Sequence, residues 1–183
     1  MNLFLVPAFA LLPLLVLQEL RGHVGSQAWL MAAFSTGAIG GGLVLGTWGG
    51  LRSRVRTALA AIVGLGVATL ALGATPAAIF PLAVAAMFVV GACAAVANGS
   101  IAAVFQATVA PKYQGRVFTL MGSVATAMTP VGLLLATPIA DLAGVRTWYL
   151  AGGMACTILG AATFLVRPIL EMEGLPAIEE GQG

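Results

Sequence analysis

Residues whose chemistry could define a function are few in this sequence and stand far apart. Serine, histidine, cysteine and carboxylate residues form no nucleophile–base set, no phosphate-binding loop and no metal-ligand spacing. Cys93 and Cys156 lie in apolar runs without a CxxC spacing, and His23 is a lone histidine. The sequence therefore predicts no enzyme activity, no cofactor and no metal site.

The densest group of charges is an arginine cluster, Arg52, Arg54 and Arg56, which follows a glycine-rich run. Cationic residues in a short loop anchor that loop on the cytoplasmic side of a membrane. The same guanidinium groups could instead cap helix C-terminal carbonyls or pair with a carboxylate, as a latch. The sequence leaves anchoring and latching open as alternatives.

The elements that carry these residues are predicted to lie in lipid. Of the 183 residues, 60% are hydrophobic and 8% are charged, and the mean hydropathy is +1.05. A soluble domain has about a quarter of its residues charged, and a nucleic-acid-binding protein needs a larger basic patch than a net charge of +2 provides. The composition excludes both classes and indicates a polytopic membrane protein.

Charge-free stretches predict the membrane-spanning helices, because about 20 apolar residues cross the hydrocarbon layer. A Gly/Pro turn at 73–76 divides the longest stretch, and the apolar runs lack the alternation of a membrane β-barrel. The predicted fold is all-α, with one six-helix transmembrane domain over residues 1–166. Its spans are predicted at about 3–19, 28–50, 57–73, 78–105, 116–139 and 147–166.

Lysine and arginine in the short loops predict the orientation. The loops after spans 2 and 4, together with the residue after the last span, carry six cationic residues. The loops after spans 1, 3 and 5 carry two. We therefore expect a multi-pass protein of the plasma (inner) membrane with both termini in the cytoplasm. Residues 167–183, rich in Glu, Gly and Pro, are predicted to form a disordered cytoplasmic tail.

The first span begins almost at Met1, without a basic lead-in and without the features of a signal peptide. One interpretation is a chain that begins in mid-protein, through truncation or a split gene. The alternative is a wrongly assigned start codon or a short native N-terminus.

An internal repeat relates the second span to the fifth at an offset of 90 residues. The segment 42–47 aligns with 132–137, and Arg56-Thr57 aligns with Arg146-Thr147. Because three spans separate the copies, they would cross the bilayer in opposite directions. The sequence therefore predicts an inverted 3+3 repeat of helices.

The run GTWGGLRSRVR at 46–56 resembles the loop signature of the major facilitator superfamily. The segments 111–118 and 137–141 resemble pieces of its drug- and macrolide-efflux-like branch. The similarity extends over nearly the whole chain but only over the C-terminal six of the family's twelve helices. In that loop the family often has an acidic residue where this chain has Gly50. The resemblance implies a cytoplasmic gate or loop motif made of Gly46, Gly50, Arg52, Arg54, Arg56, Gly115 and Arg116.

The same resemblance implies half of a transporter that exports small lipophilic or drug-like compounds by alternating access, coupled to the proton gradient. Its partners would be the lipid bilayer and a second six-helix half, either a missing N-terminal half or a homodimer mate, and no nucleic acid. Because no charged residue stands at mid-membrane depth, the coupling carboxylate would belong to the other half. The alternative is a truncated or non-transporting six-helix membrane protein or assembly subunit.

In the family the equivalents of spans 1, 2, 4 and 5 face the central cavity. The amide of Asn98 cannot be satisfied by its own helix, so cavity lining and interhelical bonding both remain open for it. An apolar wall with sparse hydrogen bonds suits a lipophilic substrate. The resemblance implies a substrate cavity lined by Thr36, Asn98, Thr126, Thr129, Phe34 and Phe105.

Glycines four residues apart form two tracks along the second span, Gly37 with Gly41, and Gly42 with Gly46 and Gly50. Small residues let helices approach closely in lipid, and such packing also permits small shifts. Plain packing and a sliding seam are compatible interpretations of the glycine tracks. Leucine at Gly41 or Gly46 is expected to block folding or transport. Pro130 predicts a kink near the middle of the fifth span.

Overall fold

A computed structural model of the chain describes residues 2–20, 22–50 and 53–165. A π-helical turn, Leu15–Glu19, extends the first helix, and a 3₁₀ turn, Ala77–Ile79, precedes the fourth. The described residues contain no β-strand, which confirms the all-α prediction. They form α1 (Asn2–Leu14), α2 (Val24–Trp48), α3 (Arg54–Ala74), α4 (Phe80–Thr108), α5 (Pro111–Ala143) and α6 (Val145–Leu165).

Helical segments long and apolar enough to cross a membrane are found on α2 to α5. A shorter apolar segment, Leu3–Glu19, covers α1 and its π turn. These segments agree with the prediction of a polytopic membrane protein, and crossings beyond these four stay a prediction. The four candidate spans are Gly25–Thr47, Arg54–Ala74, Ala77–Thr108 and Pro111–Ala143.

The turn between α2 and α3 depends on glycine. Gly49 has φ 72° and donates its N–H to the carbonyl of Leu45 at 2.9 Å, which ends α2 in a left-handed cap. Gly50 has φ 81°, another backbone conformation that other residues rarely adopt. Ser53 then begins α3 as its N-cap, because its hydroxyl accepts from the N–H of Arg56 at 3.2 Å.

The six described helices pack as two related sets. In one set α4 packs against both α2 and α3, and in the other α1 packs against both α5 and α6. An extensive α3–α6 contact joins the sets. A buried core that includes Leu12, Leu30 and Tyr149 fills the space between them.

The α2/α4 seam, which we define by Gly37, Gly41 and Gly91, brings two backbones into direct contact. A methyl group at Gly37 would overlap the carbonyl oxygen of Phe88, and one at Gly41 would overlap that of Ala92. On α4, Gly91 lies in the same way against the carbonyl of Phe34. Because backbone cannot move aside as a flexible side chain can, only glycine fits these three positions.

The second glycine track behaves differently. Gly42 and Gly46 are exposed, and a methyl group at either would meet no atom within 4 Å. The tight packing on α2 therefore belongs to the Gly37 and Gly41 track, and the effect of leucine at Gly46 stays a prediction. Whether the seam slides stays a prediction.

A glycine also makes a close contact between α1 and α5. Pro7 has no N–H, so the carbonyl of Leu3 lacks its helical partner, and this oxygen lies 2.5 Å from where a Cβ on Gly132 would stand. The offset of 90 residues aligns Gly132 with Gly42, which is open. The comparable contact on α2 is made one residue earlier, by Gly41.

Candidate functional site

Helix α5 exposes an unusual amount of its surface, and that surface is divided by chemistry. Its buried residues are Gly132, Ala136 and Ala140. A second face is exposed and apolar, with Val124, Val131, Leu135 and Leu142. The third face, named here the α5 polar stripe, is exposed too and consists of Arg116, Thr119, Ser123, Thr126, Thr137 and Asp141.

Helical geometry separates these faces. At about 100° per residue, Ser123 and Val124 point in directions roughly 100° apart at almost the same depth. The stripe recurs every three or four residues from Arg116 to Thr126 and again from Thr137 to Asp141, as one helix face requires. Between Thr126 and Thr137, the exposed Pro130 and Leu134 occupy this face instead. A surface that only contacted lipid would be apolar all around, so α5 has one face suited to lipid and another suited to polar surroundings.

Part of the stripe lines an open groove of about 420 Å³, which Arg116, Thr119 and Ser123 share with Gly115 and Leu120. The Thr119 hydroxyl donates to the carbonyl of Gly115 at 2.8 Å, and the Ser123 hydroxyl to that of Thr119 at 2.9 Å. Both donors are therefore used within the helix, while the oxygens can still accept.

Thr126 and Thr129 lie further along α5, the first exposed and the second half-buried. The Thr126 hydroxyl makes no hydrogen bond among the described residues, so it is available to an outside partner. Pro130 lies inside α5, which continues as one helix through it.

Asn98 of α4 is exposed, and its amide makes no hydrogen bond within the described ranges. Asn98 follows the buried Ala94 by four residues and the buried Gly91 by seven, and residues at these spacings share one face of a helix. Asn98 therefore lies on the face of α4 that is packed nearer its N-terminus. Phe105, half-buried, follows seven residues later on that face. Both the donors and the acceptor of the Asn98 amide are free for a ligand or a further helix.

Thr36 and Phe34, both predicted to line the cavity, lie on different faces of α2. Thr36 lines an open apolar groove of about 570 Å³ between α2 and α4, and its hydroxyl donates to the carbonyl of Ala32 at 2.8 Å. Phe34 packs edge-on against Phe9 of α1, with ring centroids 4.8 Å apart. The two residues therefore do not share a surface.

Residues of the predicted gate are spread over the end of the bundle where α2 meets α3, which we call the Arg54 end. Arg54 donates from Nη1 to the carbonyl of Ala103 on α4 at 3.1 Å, the kind of contact that a latch would use. Arg56 and Arg116 are exposed. Arg52 lies outside the described residues.

At the opposite end, the Arg146 end, α6 carries a cationic contact that the sequence analysis missed. Arg146 donates to the carbonyls of Gly73 and Thr75, from Nε at 2.5 Å and from Nη2 at 2.6 Å. Its Nη1 lies 3.9 Å from a carboxylate oxygen of Glu19. The alignment of Arg56-Thr57 with Arg146-Thr147 was the available signal, because both arginines lie in the first turn of a helix.

The apolar helices define an all-α membrane protein that passes through the bilayer several times and is surrounded by lipid. The sequence profile of the Major Facilitator Superfamily matches residues 3–182. The chain therefore belongs to that family, whose members are transporters rather than enzymes.

Curated relatives include two kinds of efflux protein. The chain is 29% identical to Macrolide efflux protein A of Streptococcus pyogenes over 168 residues, which cover 92% of this chain and 42% of the relative. It is 37% identical to Multidrug efflux pump Tap of Mycolicibacterium fortuitum over 148 residues, covering 80% and 36%. The chain thus spans about two fifths of the length of these relatives. No solved structure matches it significantly.

Proposed function

We propose that this chain is one six-helix unit, the C-terminal one, of an exporter for small lipophilic compounds. It works by alternating access against a second six-helix unit, which is either a separate N-terminal half or another copy of the chain. The relatives named for macrolide and multidrug efflux support the substrate class, and the share of their length that the chain covers supports the second unit.

The observation that carries this proposal is the α5 polar stripe. Hydroxyl and charged side chains are costly in hydrocarbon, and in membrane proteins they face a bundle interior or a water-filled cavity. Here the stripe is neither packed against this chain nor part of the apolar face of α5. A cavity shared with a second unit gives it polar surroundings.

The packing of the helices supports six crossings in an inverted repeat. In such a repeat, α1 corresponds to α4, α2 to α5, and α3 to α6. The contact of α2 with α4 then corresponds to that of α5 with α1, and the contact of α3 with α4 corresponds to that of α6 with α1. Each of these pairs is in contact, and a glycine makes the close approach in both sets. The transmembrane domain then covers residues 1–166, with both termini and the Arg54 end in the cytoplasm.

The wall of the proposed cavity combines few polar groups with apolar surface. Asn98, Thr126 and the groove residues Thr119 and Ser123 supply hydrogen bonds, and the exposed Leu120 supplies apolar contact. Thr36, Thr129 and Phe105 stay predicted members of this wall, whereas Phe34 packs against Phe9 of α1, on a different face of α2 from Thr36. Sparse polar groups on an apolar wall favour lipophilic over sugar-like substrates. Proton coupling belongs to the second unit in this proposal.

Efflux from cells tests the proposal. The chain is expressed in an efflux-deficient host, alone and together with any six-helix unit encoded beside it, and accumulation of a panel of lipophilic antibiotics is measured. Lowered accumulation is expected, and Ser123→Trp is expected to abolish it by filling the cavity wall. Val124→Trp, at the same depth on the apolar face, is expected to retain it. Unchanged accumulation in every combination would favour a non-transporting membrane subunit.

A further inference from the structure

The first turn of α6 reaches α1 through two aromatic side chains. Trp148 donates from its indole Nε1 to the carbonyl of Phe4 at 3.3 Å. Tyr149 donates from its hydroxyl to the carbonyl of Ala8. Both aromatic residues are buried, so these bonds fix the first half of α1 within the core.

Arg146, in the same turn, reaches the other end of α1. Its two carbonyl bonds, to Gly73 and Thr75, are short and hold the guanidinium on the last turn of α3. The Glu19 carboxylate lies 3.9 Å away, and side-chain exposures of 37% for Arg146 and 30% for Glu19 leave this pair partly in solvent. The Glu19 contact is therefore the weakest of the three, and Arg146 keeps its place without it.

Between these two attachments the backbone of α1 departs from the α-helix. Pro13 lacks the N–H that would bond one turn back. From Leu15 to Glu19 the helix widens to π. Two backbone hydrogen bonds that span more residues than an α-helical bond close it, from Leu20 N to Leu15 O at 3.1 Å and from Gly22 N to Val16 O at 2.9 Å. Such π turns are local interruptions of an α-helix, often found at functional sites.

We propose that the first turn of α6 is a two-point clamp on α1 and that the Glu19–Arg146 contact is its releasable point. Pro13 is the joint between the fixed segment, residues 4–12, and the releasable segment, which is the π turn together with Leu20, residues 15–20. Leu15, Val16 and Leu20 are buried in the core, so we expect release to move this segment by only about 1–2 Å, as in helix shifts of switching proteins. This clamp is independent of transport and of the orientation in the membrane.

Hydrogen exchange of the purified full chain in lipid nanodiscs tests the clamp, because amide exchange reports local opening. In Glu19→Gln, amides of residues 15–20 are expected to exchange about twofold to fivefold faster, the factor that an ion pair of this exposure contributes. Residues 4–12 are expected to keep their rates. Tyr149→Phe is expected to do the reverse, faster at 4–12 and unchanged at 15–20.

Two further variants keep the result decisive. Gln18→Ala alters an exposed neighbour of Glu19 and is expected to change neither segment. Glu19→Asp keeps the charge on a shorter side chain and is expected to fall between wild type and Glu19→Gln; it also replaces Glu19→Gln if that variant does not accumulate. If exchange at residues 15–20 were unchanged in Glu19→Gln, the proposal would be overturned and Arg146 would act only as a cap of α3. Equal acceleration in both segments would overturn it too, because α1 would then loosen as one body.

Discussion

The α2/α4 seam and the contacts of α1 with α5 and α6 hold helices together by different means. At the α2/α4 seam three glycines place backbone against backbone, and among the described residues no side-chain hydrogen bond crosses it. Around α1 a single glycine, Gly132, makes such a contact, and Trp148 and Tyr149 add buried hydrogen bonds to helix carbonyls.

This difference shows two solutions to one problem. Lipid offers no hydrophobic reason for apolar helices to associate, so they need close packing or polar bonds. Because no directional bond in the described part of the chain holds the α2/α4 seam, a shift along its axis would break none, and such a shift stays a prediction. Directional bonds instead fix α1 at defined positions on α6.

The largest effect is expected at Gly37. Gly37→Leu drives a side chain into the Phe88 carbonyl, which cannot move aside, and is expected to cost more than about 3 kcal/mol or to prevent folding. The measurement is thermal unfolding of purified protein, together with its yield. Gly42→Leu, on the open track of the same helix, is the matched control and is expected to unfold like wild type. Equal losses in both variants would show that the seam is not where α2 is packed tightly.

Arg146→Gln is expected to have the next largest effect. It removes two short charge-assisted bonds from the last turn of α3 and is expected to cost about 2–3 kcal/mol in the free energy of unfolding. Arg56→Gln, an exposed arginine at the opposite end, is expected to change it by less than about 0.5 kcal/mol. If the two variants matched, the bonds to Gly73 and Thr75 would contribute little.

Tyr149→Phe is expected to cost about 1 kcal/mol, because it removes one buried hydrogen bond while keeping the ring. Tyr113→Phe is the control, since Tyr113 is 49% exposed. Chemical unfolding of both variants in the same detergent measures the difference. If Tyr149→Phe left the free energy of unfolding unchanged, α1 would be held by apolar packing alone.

A small stabilisation is expected from Gly42→Ala. Alanine favours a helix over glycine by about 1 kcal/mol, and Gly42 has open space around it. Gly41→Ala, one residue away, is expected to destabilise despite the same propensity gain, because its methyl group meets the carbonyl of Ala92. Changes of opposite sign in the free energy of unfolding would support the difference between the two glycine tracks, and changes of the same sign would contradict it.

Much of the fold could be predicted from the sequence, because lipid imposes simple rules on it. Apolar runs without charge predicted the helices, and Gly49, Gly50 and Ser53 form the turn that the Gly-rich run indicated. Which of two glycine tracks is packed could not be predicted. Gly41 and Gly42 have the same spacing pattern, and only the position of α4 distinguishes them.

Individual site residues were harder to predict for the same reason. Thr36 was chosen as a polar residue of a cavity-facing helix, but the direction of its side chain depends on rotation of α2 about its axis. Arg146 was counted as a loop charge, and its bonds to α3 carbonyls depend on tertiary packing. Arg116 and Thr126 of the α5 polar stripe were among the predicted site residues, but the stripe itself could be defined only once the structure showed which residues of α5 are exposed.

The central claim is that the polar stripe of α5 faces water while its apolar face meets lipid. Labelling of Ser123→Cys and Val124→Cys by a charged maleimide in native membranes, with Cys93 and Cys156 replaced by alanine, measures this at almost one depth. We expect Ser123→Cys to react readily and Val124→Cys to stay unlabelled. Equal protection of both thiols, or faster labelling of Val124→Cys, would contradict the account.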